Sequence, residues 1–84
     1  MDMTKFKTLL DDQMSWPEYY TFKFVVKAEY KDHVLDLLTE HTIEKRDSKT
    51  GKYTSITSRK LFHSSEDVVA VYSMMSQVEG IISL

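Results

Sequence analysis

The chain has 84 residues, of which 42% are hydrophobic and 12% aromatic, with a formal net charge of −2, 2 glycines, 1 proline and no cysteine. That balance is too apolar for a disordered chain, too poor in glycine and proline for long linkers, and long enough for one domain with a modest core that dimerisation would help to stabilise. It excludes a disulfide framework, a thiol nucleophile and a thiolate zinc site, and its negative total argues against coating nucleic acid wholesale.

The start, Met-Asp-Met-Thr-Lys-Phe-Lys, carries charge but no apolar h-region, and no run approaches the ~20 apolar residues of a bilayer crossing, so a cytoplasmic protein is expected. Residues 1–15 read as an N-terminal extension containing a short helix. Phe6, Leu9, Leu10 and Met14 share one side of it, and Thr4 stands where a cap belongs. Trp16-Pro17 breaks that helix, because proline lacks an N–H and drives its predecessor to extended geometry. The domain proper is read as residues 16–84.

From Tyr20 to Lys27 the side chains alternate, Phe22, Phe24 and Val26 on one side and Thr21, Lys23, Val25 and Lys27 on the other, the period of a half-buried strand. Between Tyr30 and His41 the period changes. Tyr30, Val34, Leu37, Leu38 and His41 then share one helical face. Ile43–Ser48 and Tyr53–Phe62 read as an antiparallel pair around Lys49-Thr50-Gly51-Lys52, with Gly51 supplying the positive φ that a short loop needs. Ser64 followed by Asp67 marks a helix start, and Val68, Val71, Tyr72, Met75 and Val78 form its inward face. Gly80 is placed as the left-handed residue after that helix, and Ile81–Leu84 as a last strand.

The expected fold is therefore α+β: a ferredoxin-like βαββαβ two-layer sandwich, with an antiparallel four-stranded sheet, two helices on one face, and the short N-terminal helix added. The inward side of the third strand reads Ile56, Ser58, Lys60 and Phe62. A buried Lys60 is costly unless it snorkels to the rim, so the strand is expected to bend or bulge near Ser58 or to become an exposed edge.

Chemistry has few footholds. His33, His41 and His63 lack the spacing that converges metal ligands, and no serine sits in a nucleophile elbow, so neither a metal, a cofactor nor a catalytic residue is expected. His41 is placed near a helix C-terminus, where a cation is favoured. Trp16 and Tyr19 are read as closing one end of the sandwich, and Met75 as core filler.

Charge is the stronger signal. Lys45, Arg46, Lys49, Lys52, Arg59 and Lys60 hold six of the eleven Lys and Arg, and Asp47 is the only acid between positions 45 and 60. Like charges gathered at a hairpin edge are relieved by a phosphate, a carboxylate or an acidic partner. The free sheet face adds Lys23, Lys27, Tyr53, Ser55, Thr57 and Arg59.

Trp16-Pro17, Tyr20-Thr21-Phe22-Lys23, Arg46-x-Ser48, Gly51-Lys52-Tyr53-Thr54-Ser55 and the closing hydrophobic strand, in that order, resemble the bacterial YbeD-like family of uncharacterised proteins from Trp16 to Leu84. The resemblance implies a ferredoxin-like fold similar to the ACT regulatory domains, in a small cytoplasmic protein without an established activity. Carried over position by position, the motif residues are Pro17, Lys23, Arg46, Ser48, Gly51, Tyr53 and Ser55, and none is catalytic.

The functional expectation is a non-enzymatic regulatory or adaptor module that forms a homodimer and binds a small anionic metabolite or a protein partner. Its interaction residues are Lys23, Arg46, Ser48, Lys52, Tyr53, Ser55 and Arg59, while Pro17 and Gly51 serve as structural turn residues. The alternative is an RNA-binding protein using Lys23, Lys27, Arg46, Lys52, Tyr53 and Arg59. Its weakness is ring count, because Ser55 stands where a second stacking aromatic is wanted.

Overall fold

In the computed structural model residues 3–84 are described, and they run α1 (Met3–Gln13), β1 (Glu18–Lys27), a 3-10 turn (Ala28–Tyr30), α2 (Lys31–Leu37), β2 (Thr42–Asp47), β3 (Tyr53–Phe62), α3 (Ser65–Met75) and β4 (Ile82–Ser83). The four strands form one antiparallel sheet in the order β2-β3-β1-β4. Its centre is the β1–β3 pair, in unbroken register from Glu18 opposite Phe62 to Lys27 opposite Tyr53.

Strand alternation decides which side is dry. Phe22, Phe24 and Val26 of β1 and Ile56 and Phe62 of β3 are buried, and they meet Leu10 of α1, Val34 of α2, Leu38 just beyond it, and Val68, Val71 and Met75 of α3. Burial of a phenylalanine or valine side chain contributes about 1.5–3 kcal/mol each, so this single cluster supplies the main drive to fold. The ring of Phe22 sits at its centre, stacked on Phe24 at 5.8 Å and edge-on to Phe62 and Tyr72 at 5.7 and 4.9 Å.

The N-terminal helix packs as an integral part of this layer. Phe6 lies edge-on to Tyr72 at 5.4 Å and Leu10 is buried, whereas Leu9 stays exposed. Asp11 accepts from the Ser65 hydroxyl and from Trp16 Nε1, and these bonds with the nearby Lys7 hold its carboxyl below the usual aspartate range. The helix starts at Met3, so Thr4 lies inside it rather than at its cap.

Three expectations shift. The helix after β1 ends at Leu37, short of His41: Leu38 leaves helical geometry at φ −111° and ψ 32°, and turns carry the chain to Thr42. No glycine stops it; Thr39, Thr42 and Ile43 are β-branched and favour extended backbone. The helix after β3 ends at Met75, so Gly80, at φ 70°, closes a later turn and is not the residue following the helix. The last strand shrinks to Ile82–Ser83, extended by the Leu84 N–H donated to the Lys23 carbonyl at 2.8 Å.

The expected bulge or exposed edge near Ser58 is absent, since β3 lies between β2 and β1 and pairs with both in unbroken register. Instead β3 stays regular because Ser58 is small enough to be buried against Phe22 and Ile43 on the neighbouring strands, its Oγ left without a partner. Lys60 escapes burial at the rim, 3.4 Å from Glu40 and 5.6 Å from the Phe62 ring.

Two expectations are met in detail. Ser64 caps α3 by accepting from the Asp67 N–H, and Gly51 sits in the hairpin loop at φ 73°.

Candidate functional site

Because directly opposed residues of an antiparallel pair point to the same side, the register writes out the uncovered face row by row. Leu61 and Tyr19 stand at one end; then come Thr42, Arg59 and Thr21; then Glu44, Thr57 and Lys23; then Arg46, Ser55, Val25 and Ile82; and Tyr53 with Lys27 at the other end. Leu84 lies beside Lys23 at the β4 margin. No helix covers these residues, and Lys23, Lys27, Arg46, Arg59 and Tyr53 are exposed.

Five of the seven interaction candidates, Lys23, Arg46, Tyr53, Ser55 and Arg59, therefore share this face. The other two are in the hairpin loop. Ser48 has a structural task there: its Oγ accepts the Tyr53 N–H and its N–H donates to the Tyr53 carbonyl, which locks the loop over Gly51. Lys52 gives its carbonyl to the Ala28 N–H, and its side chain borders a shallow recess of about 280 Å³ with Lys27, Glu29 and Tyr53. Pro17 sits ahead of β1, after α1 has ended.

The basic cluster divides. Lys45 and Lys60 lie on the helix side of the sheet, opposite Ile56 and Tyr20, so they do not join the others. Asp47, also on that side, accepts from the Thr54 hydroxyl at 2.8 Å. On the open face, four cations (Lys23, Lys27, Arg46 and Arg59) surround one acid, Glu44. Ion pairs among the described residues join Lys7 to Asp11 and Glu66 and Lys60 to Glu40, all off this face. Among the described residues no ion pair engages the four cations of the open face.

Tyr19 departs from its expected place. Trp16 packs against the core and closes the end, but Tyr19 belongs to β1, half exposed on the open face with the Arg59 guanidinium 4.0 Å from its ring centre. Strand parity carries the signal: counting back by twos from Lys23 reaches Thr21 and then Tyr19.

His41 also differs. Its ring lies 6.0 Å from Phe22 and 5.9 Å from Phe62, its Nδ1 is buried without a partner, and burial followed by the charge of Lys60 pushes its pKa down. The neutral form is favoured, contrary to the cation expected at a helix end. His33 and His63 are exposed.

A second concavity was not legible in the sequence. Phe6, Tyr72, Val78 and Ile81 line a groove of about 680 Å³ beside β4, with Ser73, Ser76 and Ser83 at its margin. Its parts come from three distant segments, so no local pattern announces it.

No curated protein and no solved structure matches the chain. A family model does, described as a protein of unknown function, DUF493, and it matches residues 11–84. With all four strands, α2 and α3 inside that span, the chain belongs to the DUF493 family.

Proposed function

We propose that the protein is a small non-enzymatic regulatory or adaptor module that binds an anionic partner, a protein or a small anionic metabolite, through its open sheet face and the β2–β3 hairpin. One observation carries this reading: among the described residues Lys23, Lys27, Arg46 and Arg59 gather on an uncovered face with a single acid and no ion pair. Cations held together in this way repel, and an anion that enters relieves the repulsion. No catalytic role is assigned to any residue.

The architecture is read as ferredoxin-like, with the ACT-like shape of the YbeD-like proteins. Support comes from the strand order, in which β1–α2–β2 and β3–α3–β4 each cross over one intervening strand, the arrangement of two interleaved split βαβ units. A bacterial, cytoplasmic setting accords with the YbeD-like resemblance and the lack of cysteine. Homodimerisation is assigned to strand edges, since two open faces meeting would set like cations against each other.

The RNA reading uses the same cations but stands below the first. Tyr19 and Tyr53 lie at opposite ends of the face, about 26 Å apart by strand rise, and Arg59 already occupies the Tyr19 ring. Adjacent bases therefore find no neighbouring pair of rings to stack on.

Calorimetric titration with pyrophosphate, citrate and poly-glutamate at low and moderate salt tests the proposal, wild type against the Lys23→Glu, Arg59→Glu double variant. Binding that weakens with salt and disappears in the variant is expected. Equal binding by both proteins, or none at low salt, overturns it.

A further inference from the structure

Resting on the reading of the open face as an anion-binding surface, we infer that its occupant is an acidic amphipathic helix of a partner protein, laid along β1 between two apolar ends. Charge alone does not single this out; the distribution of exposed apolar groups does. Six large hydrophobic side chains are exposed among the described residues, and five of them, Tyr19, Tyr53, Leu61, Ile82 and Leu84, belong to this face, with Leu9 on α1 the exception. Exposed apolar groups gathered on one face, interspersed with cations, fit a surface that is covered when in use.

The layout is directional. Leu61 and Tyr19 form one apolar cluster, and Val25 and Ile82 a second one three rows along, with Leu84 at its margin beside Lys23; Thr21, Arg59, Thr57 and Lys23 stand between the two. Tyr19 and Val25 are six residues apart on β1, which is about 20 Å of strand. A helix of about 13 residues covers that length at ~1.5 Å per residue.

Backbone accounting chooses helix over strand. A sheet face offers side chains and no free N–H or C=O groups, so an extended peptide lying on it would leave its own backbone unpaired over the apolar ends. A helix satisfies its backbone internally and needs only an apolar stripe. Its acids would meet Lys23, Arg46, Lys27 and Arg59, which share this face. A second copy of this chain is a poor occupant, since it would bring the same four cations face to face.

The test uses the whole protein and synthetic peptides of about 13 residues: a Glu/Leu peptide with leucines at helical spacing, the same composition scrambled, and the first with every Glu replaced by Gln. Heteronuclear NMR titration is expected to place the shifts from the first peptide on Thr21, Val25, Thr57 and Leu61. Affinity should fall at least about tenfold for the scrambled and the Gln peptides. Leu61→Ser should weaken the helical peptide while leaving pyrophosphate binding unchanged, and Lys23→Glu with Arg46→Glu should abolish both while the far-ultraviolet spectrum stays native.

Equal affinity for helical and scrambled peptides, shifts confined to the groove beside β4, or tighter binding of a single-stranded RNA of equal charge would overturn the inference. If pyrophosphate binds this face and no peptide is preferred, the anion-binding reading survives and the helix does not. If neither binds, both fall.

Discussion

The two sides of the β1–β3 pair carry adjacent residues with opposite tasks. Phe22, wholly buried, has four other aromatic rings centred within 6 Å, whereas Lys23, the next residue, projects from the uncovered face without an ion pair among the described residues. On the dry side, identity is dictated by volume and packing. On the wet side the fold dictates almost nothing, so the chemistry found there points to use and not to stability. Function in a small domain is best sought among the residues that the fold does not need.

The largest loss is expected on the dry side. Phe22→Ala removes a ring from the centre of the core and should destabilise by about 3–5 kcal/mol, a large share of the total for a domain of this size. Urea denaturation of the two proteins measures it. A loss below about 1 kcal/mol would mean that the aromatic cluster is loosely packed and that the covered face is not the one holding the fold together.

Next comes Gly51→Ala. At φ 73° alanine is strained, and since a Cβ there would meet no atom within 4 Å, the expected loss of about 1 kcal/mol is conformational and not steric. In a domain of this size that corresponds to a thermal midpoint about 4–8 °C lower. An opposite sign is expected at Ser58, whose buried hydroxyl has no partner: Ser58→Ala should raise stability by about 1 kcal/mol, and a loss instead would reveal a bond that this hydroxyl makes in solution.

Much of this division was legible in the chain. Period-two alternation from Tyr20 to Lys27 separates the two sides correctly, and the same parity places Arg46, Tyr53, Ser55 and Arg59 on one face once the hairpin is centred on Gly51. What escaped was set by contacts between distant segments. Lys45 and Lys60 look like part of the basic cluster in sequence, yet register puts them on the helix side. Tyr19 looks like an end closure, because the start of β1 at Glu18 is a matter of pairing with Phe62 and not of local pattern. The end of α2 at Leu37 and the groove beside β4 are likewise tertiary outcomes.

His41 makes the stability of the dry side depend on pH. With its folded-state pKa depressed below the ordinary 6.5 by burial and then by Lys60, the folded protein resists a proton that the unfolded chain accepts. Its contribution to stability is thus fully present above pH 6.5 and is lost as pH falls from there through the lowered folded value. Denaturation midpoints measured between about pH 8 and about pH 5 should decline on the acid side, and His41→Phe should flatten that decline. A slope unchanged by the substitution would assign it to another group.

The smallest effects are expected on the open face. Lys23→Ala and Arg46→Ala should each leave stability within about 0.5 kcal/mol, as surface substitutions without packing or pairing do. The value of these variants lies in that silence, because a change in binding by a protein whose stability is untouched is attributable to the face itself. Arg59→Ala should differ slightly, since its guanidinium rests on the Tyr19 ring and the exposed cation–π contact is worth about 0.5–1 kcal/mol. Chemical denaturation of the three variants ranks them. If Lys23 or Arg46 proved as important to stability as Gly51, it would be a structural residue, and the open face would lose the cations on which its proposed role depends.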